Sequence, residues 1–153
     1  MSTTQNKTYP GSYSIYKKSA AAQFTLMPPK TDENGRISKN GAVLLEVATG
    51  SDRKYDWSEK ISLAIGMQDL CLWFSDPDNP PKLHHQAPNS NYLKQLEVLP
   101  GEGKYAGTFM LKVGEKNNET NNYKNVNVPL TGGEYTVLLR LLMSAAPKMI
   151  NWV

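Results

Sequence analysis

The sequence predicts an α+β domain dominated by antiparallel β-sheet. Segments that alternate apolar and polar side chains, the period of a strand with one buried face, occur in two successive groups of four. A stretch in which apolar residues recur at helical spacing then follows the last strand. Runs of strands followed by a helix are typical of the α+β class, and 153 residues suffice for one core. We therefore expect a flexible N-terminus over residues 1–11 and one domain over residues 12–153.

The first group of strands ends near residue 65. Its members are separated by prolines, glycines and asparagines, which favour turns. They are a long strand from Tyr13 to Leu26, a hairpin over Thr31 to Asn40 around Asn34-Gly35, a strand from Ala42 to Ala48 and a strand from Lys54 to Ile65. In the last strand Trp57 is expected on the same face as Ile61 and Leu63, so it is alternatively a core residue.

The second group begins with the apolar run Leu70 to Phe74, predicted as a strand with Cys71 as a buried structural thiol. The rest of the group consists of strands and two polar loops. They are a loop over Asn79 to Asn91, a hairpin of Tyr92 to Leu99 with Lys104 to Val113, a loop over Gly114 to Lys124, and a strand from Val126 to Leu130.

A helix is predicted to follow the last strand, because Thr131 and Glu134 have the spacing of a capping box. Pro147 should end or kink it, with a second short helix beyond. Apolar residues cover a wide part of its surface, and we expect the following to meet other subunits: Tyr135, Leu138, Leu139, Leu142, Ile150 and Trp152. Val137, Leu141 and Ala145 widen that face, and one wide helix buried in its own domain is the equal alternative.

Composition excludes several classes of protein. With 17 Lys and Arg against 14 Asp and Glu, the net charge of +3 permits a nucleic-acid partner without requiring one. The single cysteine excludes a disulfide framework or a cysteine zinc site within one chain. The start of the chain has no signal-peptide or transit-peptide pattern, and no apolar run reaches membrane-spanning length. We expect a soluble, intracellular protein.

No set of residues predicts an active site. His84 and His85 are adjacent, so on an extended backbone their side chains diverge and make a poor metal pair. Asp76 and Asp78 flank a proline, which a turn explains. No nucleophile, base and orienting group can be assembled. The sequence therefore predicts a protein that is not an enzyme, with no cofactor, no metal and no small-molecule substrate.

Basic residues instead recur beside aromatic residues on predicted strands. Cations that track phosphates and flat rings that stack on bases are what a binder of single strands requires. Such residues are also typical of ordinary strands with one solvated face. The candidate nucleic-acid contacts are Tyr16, Lys17, Lys18, Lys54, Tyr55, Trp57, Lys60, Lys104 and Lys112.

Three motifs occur in order along the chain: Tyr16-Lys17-Lys18-Ser19-Ala20-Ala21-Ala22, Lys54-Tyr55-Asp56-Trp57-Ser58, and Cys71-Leu72-Trp73-Phe74-Ser75-Asp76-Pro77. Their order and spacing resemble the Whirly proteins, plant single-stranded DNA-binding proteins, from about Tyr13 to Trp152. Leu96 to Gly103, Val128 to Tyr135 and Pro147 to Trp152 follow in the family's order.

The resemblance implies two packed four-stranded antiparallel sheets with a C-terminal helix-loop-helix that joins four subunits in a homotetramer. It also implies that single-stranded DNA lies along the sheet edges between subunits, with little sequence preference. Lys17 and Lys18 are the first expected contacts, followed by Tyr16, Trp57 and Lys60. The implied role is to protect or organise exposed strands in replication, recombination or repair.

The sequence departs from the family in two places. Ser19 replaces the second motif lysine, which the family associates with assembly of tetramers into larger particles. The family also has a helix before its cysteine strand, for which Gly66 to Leu70 is too short. The lack of a transit peptide suggests a bacterial or viral relative, or an organelle protein after processing. An RNA-binding protein of the same fold, such as the guide-RNA-binding proteins of trypanosome mitochondria, and a structural oligomer without nucleic-acid binding are the alternatives.

Overall fold

Two antiparallel sheets and two helices enclose one hydrophobic core in the computed structural model, which describes residues 11–152. The flexible segment predicted over residues 1–11 lies outside this range except for Gly11. The elements are β1 (Ser12–Tyr16), β2 (Ala20–Met27), β3 (Lys30–Thr31), β4 (Ile37–Lys39), β5 (Ala42–Ser51), β6 (Lys54–Tyr55), β7 (Ile61–Ile65), α1 (Met67–Ser75), β8 (Leu83–Gln86), β9 (Tyr92–Pro100), β10 (Phe109–Asn117), β11 (Tyr123–Leu130) and α2 (Gly132–Met149). The α+β class is confirmed.

The first sheet has the order β1-β2-β5-β6, and β7 also pairs with β5. The single long strand predicted from Tyr13 to Leu26 is wrong, because a turn at residues 17–19 divides it into the antiparallel pair β1 and β2. The amide of Lys17 donates to the carbonyl of Ala20 at 2.8 Å and closes the turn. The residues after the turn, Ala20 to Ala22, are all apolar, so no change in the alternation of apolar and polar residues marks the turn in the sequence. The predicted hairpin around Asn34-Gly35 is confirmed as β3 and β4.

The strand predicted from Lys54 to Ile65 is also interrupted. Residues 57–59 form a 3₁₀ turn that Asp56 caps, since its carboxylate accepts from the amide of Ser58 at 3.2 Å. The turn changes the parity of the chain between β6 and β7. Trp57 therefore lies half-buried outside the core, whereas Ile61 and Leu63 are buried in it.

The second sheet has the order β11-β10-β9-β8. The apolar run from Leu70 to Phe74 is not a strand but part of α1, which buries Leu70 and Trp73 on one face and leaves Cys71 exposed. A short apolar run has no period that distinguishes the two structures. The predicted burial of Cys71 is therefore wrong, and the segment after β7 that was expected to be too short for a helix begins one.

The remaining strands of the second sheet differ from the prediction at their ends. The fourth strand is β8, from within the predicted loop over Asn79 to Asn91. Lys104 lies in a 3₁₀ turn over Gly103–Tyr105, so β10 begins only at Phe109 and continues to Asn117. Much of the loop predicted over Gly114 to Lys124 is therefore strand. Cross-strand pairing extends the polar ends of β10 and β11, which alternation of apolar residues cannot reveal.

The capping box that opens α2 is confirmed. The amide of Glu134 donates to Thr131 Oγ1 at 3.0 Å, and the amide of Thr131 donates to Glu134 Oε1 at 2.8 Å. The predicted break at Pro147 is wrong, because α2 continues through it to Met149 and no second helix follows within the described range. Pro147 lies in the last turn, two residues before the helix ends. No helix among residues 11–152 is long and apolar enough to cross a membrane.

Candidate nucleic-acid interface

Three aromatic side chains form a connected cluster on the first sheet, which we call the aromatic platform: Tyr16, Tyr55 and Trp57. The rings of Tyr16 and Tyr55 are stacked, with centroids 5.8 Å apart and an interplanar angle of 28°. Trp57 meets Tyr55 edge-on at 6.2 Å. Tyr16 keeps 50% of its surface exposed. Sequence reasoning selected all three residues, and the fold brings them together.

The platform lies on the outward face of the sheet because small residues make room for it. Ile15 is buried, so its neighbour Tyr16 points outward, opposite Ala21. Ala21 pairs with Ala48, and both are fully buried although they share the outward face, which indicates that the rings cover them. Tyr55 pairs with Gly50, where a Cβ atom would lie only 2.7 Å from the tyrosine ring.

Hydrogen bonds join two turns beside the platform. The hydroxyl of Tyr55 donates to the carbonyl of Lys17, and the amide of Arg53 donates to the carbonyl of Lys18 at 3.1 Å. Asp52 and Arg53 adopt the left-handed backbone conformation, with φ of 51° and 64°, which turns β5 back into β6. The side chains of these turns are therefore held next to the rings.

The cations around the platform differ in how they are paired. Lys18 is 81% exposed and lies 4.0 Å from Asp52, which is also exposed. Arg53 and Lys54 are exposed and form no ion pair within the described part of the chain. Lys60 is held by Glu46 at 2.5 Å. Arg53 is an exposed cation that the list of predicted contacts omitted, although it stands within the basic-aromatic pattern.

Lys17 is bound to the C-terminal helix. Its ammonium lies 2.7 Å from Glu134 Oε1, in the capping box of α2, and both side chains are largely covered. Burial alone would raise the pKa of Glu134, but the hydrogen bonds from Lys17 and the Thr131 amide, with the charge of Lys17, lower it below its usual value. Burial, and then the Glu134 charge, raises the pKa of Tyr13, whose hydroxyl donates to the Glu134 carbonyl at 3.5 Å.

Lys104 and Lys112 belong to the second sheet and its loop. Lys104 lies over the ring of Tyr105, with 5.1 Å from its amino group to the ring centroid. Lys112 is paired across the strands with Glu97, on the face opposite the buried Leu111. No hydrogen bond or ion pair between described residues joins either lysine to the platform.

The outward surface of α2 is apolar. Tyr135, Leu138 and Leu142, predicted to meet other subunits, lie in the core of this chain. Leu139 and Ile150 are half-buried, and Trp152 is 80% exposed. The exposed apolar side chains of the helix are Val137, Leu141 and Met143. A cleft of about 380 Å³ lies between this helix and the first sheet, with Phe24, Leu138 and Leu141 among its lining residues.

Comparison with known proteins identifies the family. The family described as "Whirly transcription factor" matches residues 15–141. The chain belongs to the Whirly family. The similarity begins within β1 and ends within α2, so both sheets and the platform lie inside it.

Several Whirly proteins are similar to this chain over most of its length. A relative from Zea mays, "Single-stranded DNA-binding protein WHY1, chloroplastic", is 29% identical over 160 residues, which cover 92% of this chain and 56% of the relative. "Single-stranded DNA-binding protein WHY3, chloroplastic" from Arabidopsis thaliana is 31% identical over 157 residues, covering 92% and 56%. The chain thus spans about half the length of these relatives.

A solved Whirly structure has the same fold. The crystal structure of WHY1 from Arabidopsis thaliana superposes with a TM-score of 0.84 at 23% identity, covering 97% of this chain and 89% of that chain. The expected Whirly fold of two packed antiparallel sheets is confirmed, but the first sheet has five strands instead of four, and the described residues contain one C-terminal helix instead of a helix-loop-helix.

The Whirly chain offers no metal site among residues 11–152, where no group of three or more His, Cys, Asp or Glu is placed to hold an ion. His84 is exposed, and His85 Nε2 lies 2.8 Å from Asp69 Oδ2 on α1. The two adjacent histidines therefore diverge, in agreement with their alternation on β8.

Proposed function

We propose that this chain binds single-stranded DNA on the outward face of the first sheet, with little sequence preference. The aromatic platform carries the proposal: the exposed ring of Tyr16 stacks on the half-buried rings of the platform, beside the exposed cations Lys18, Arg53 and Lys54. Every base has a flat face that can stack on such rings, and the cations neutralise phosphates. The names of the relatives, single-stranded DNA-binding proteins, support it.

The platform is suited to binding without rearrangement. Tyr55 is fixed from below by Gly50 and at its hydroxyl by the Lys17 carbonyl, so its ring loses little freedom when a base stacks on it or on Tyr16. We infer that the bound strand is protected or organised during replication, recombination or repair, because the contacts use features that every single strand presents.

We propose that four copies assemble through the outward face of α2. Exposed apolar residues that cluster on one surface mark a protein contact, and Val137 and Leu141, one helical turn apart on the same side of α2, provide such a surface. The adjoining cleft would accept side chains from another copy. The tetramer is the assembly that the Whirly family implies, and closed symmetry would use the same surface in each copy.

We infer a location in an organelle. The relatives named above are plant chloroplast proteins. That similarity favours an organelle over the bacterial or viral source.

Binding is tested by fluorescence polarisation with a labelled oligothymidine of about 30 nucleotides, several times the strand length that one small domain covers. Tyr16→Ala should weaken binding by about fivefold or more, the loss of one stacked base. Tyr105→Ala is the matched control, since Tyr105 is equally exposed but lies outside the platform.

Competitors decide between the functions. Duplex DNA should fail to displace the labelled strand, and affinity should fall steeply with salt. If matched RNA displaces the labelled strand at a lower concentration than DNA does, the function is RNA binding, because a site that contacts the 2′-hydroxyl distinguishes RNA from DNA. No binding by an intact tetramer would leave a structural oligomer.

A further inference from the structure

A second aromatic site lies at one end of the second sheet, outside all the predicted contacts. Tyr92 on β9 and Tyr123 on β11 are 45% and 56% exposed, and they flank the end of β10. A cleft of about 220 Å³, which we call the base cleft, lies at this end of the sheet and is lined by Tyr92, Glu115, Asn117, Asn122, Tyr123 and Lys124. Strand register places the side chains of Tyr92 and Glu115 on one face of the sheet and the Tyr123 ring, which covers Gly114, on the other. The volume is below the range of about 300–1,000 Å³ typical for drug-sized ligands. The sequence prediction missed the cleft because it assigned all of these residues except Tyr92 to a solvated loop.

The position of Tyr123 depends on a glycine. Its side chain extends over Gly114 on the neighbouring strand, where any Cβ atom would collide with the tyrosine hydroxyl. The tyrosine side chain therefore buries Gly114. Lys112 and Lys116, the neighbouring residues of β10 on the same face of the sheet, are half-exposed. As at Tyr55 and Gly50 in the first sheet, a glycine lets an exposed aromatic side chain lie flat on a strand.

The polar groups of the base cleft are held in place but not saturated. The Asn117 side-chain oxygen accepts from the amides of Glu119 and Thr120 at 2.9 and 3.3 Å, which directs its NH₂ group elsewhere as a donor. Glu115 is only 14% exposed, and Lys94 and Lys124 lie 4.0 and 3.8 Å from its oxygens. These separations exceed hydrogen-bond length, so the carboxylate keeps acceptor capacity for a ligand.

The base cleft adjoins the aromatic platform within one protomer. The amino group of Lys124 lies 3.3 Å from the carbonyl of Glu59 and 3.6 Å from its carboxylate. Glu59 ends the 3₁₀ turn that begins with Trp57. Lys124 therefore connects the turn that carries Trp57 to the base cleft within one protomer.

We propose that the base cleft takes one nucleobase of the strand bound on the platform and prefers cytosine to thymine. The proposal rests on the proposed function. The Glu115 carboxylate accepts a hydrogen bond from the amino group of cytosine, whereas thymine presents an acceptor oxygen and a methyl group at the same edge. The same carboxylate repels a phosphate, so a base and not the backbone enters. The strand is held without sequence preference on the platform and read at one position in the cleft.

The preference is tested with oligodeoxycytidine and oligothymidine of about 30 nucleotides at equal salt and neutral pH. Wild-type protein should bind the cytidine strand about fivefold more tightly, the low end of discrimination by a good contact to a base edge. Glu115→Gln should remove the preference, because the amide also offers a donor to the thymine oxygen. Glu119→Gln is the matched control, since it changes the charge equally in the adjacent loop but does not line the cleft.

Photo-crosslinking tests the location with the wild-type protein, so it does not depend on any variant folding. Strands with one 5-iodocytosine should give adducts on Tyr92, the aromatic residue on the same face of the sheet as Glu115. Adducts confined to the aromatic platform, or equal affinity of wild type and Glu115→Gln for both strands, would overturn the base cleft and leave single-strand binding intact. Absence of binding to either strand would overturn both proposals.

Discussion

Lys17 and Lys18 are adjacent in the chain, yet we expect their replacement by alanine to have different effects. The ammonium of Lys17 lies 2.7 Å from Glu134, and its side chain is 26% exposed. Lys18 is 81% exposed and 4.0 Å from its nearest carboxylate. We therefore expect Lys18 to neutralise a phosphate of the bound strand, and Lys17 to stabilise the start of α2.

The size of each effect follows from the structure. For single strands, each neutralised phosphate contributes roughly 0.7 to the slope of log affinity against log salt. Lys18→Ala should reduce the slope by that amount. Between about 50 and 200 mM salt, the fold-loss of affinity of the variant should then be smaller than that of the wild type by a factor of about 2.6. Lys17→Ala removes a charged hydrogen bond that is partly screened by solvent, so it should cost about 1–2 kcal/mol of unfolding free energy, a fall in Tm of about 2–8 °C.

Salt titrations of oligothymidine binding measure the first effect, and thermal unfolding at fixed protein concentration measures the second. Glu134→Gln serves as the control, because it keeps the capping box and removes the charge that pairs with Lys17. Equal slope changes for both lysines, or a lower slope with unchanged Tm for Lys17→Ala, would refute the assignment.

Three further outcomes are expected. The pKa of Glu134 is lowered, so the stabilisation by its charge is complete above the usual pKa of about 4.5 and is lost as the pH falls through the lowered pKa. The Tm difference between wild type and Glu134→Gln should therefore shrink as the pH falls below about 4.5. Tyr135→Phe should cost about 1–3 kcal/mol in urea unfolding, because Trp73 Nε1, which donates to the tyrosine hydroxyl at 2.9 Å, would lose its partner in the core. Leu141→Glu should dissociate the proposed tetramer in light scattering, whereas Gln68→Glu on the exposed face of α1 should not.

The sequence predicted the elements whose signals are local. Alternation located β5 and β11, and the Thr131 and Glu134 spacing located the start of α2, because a capping box is complete within four residues. The basic-aromatic pattern also selected Tyr16, Tyr55 and Trp57, which the fold brings together. Where the local signal was ambiguous the prediction failed: it missed the turn before the uniform alanines of β2, and it assigned the five apolar residues of α1 to a strand.

The sequence by itself thus determined the class of fold, the family and the residue types of the platform. The tertiary structure alone decided how those residues act. It placed Glu134 against Lys17 across 117 positions of the chain, and so separated a structural lysine from an exposed one. It also set Tyr55 over Gly50 and Tyr123 over Gly114, since strand register determines which glycine lies beneath which ring. Such contacts depend on pairing between distant segments, for which a local pattern carries no signal.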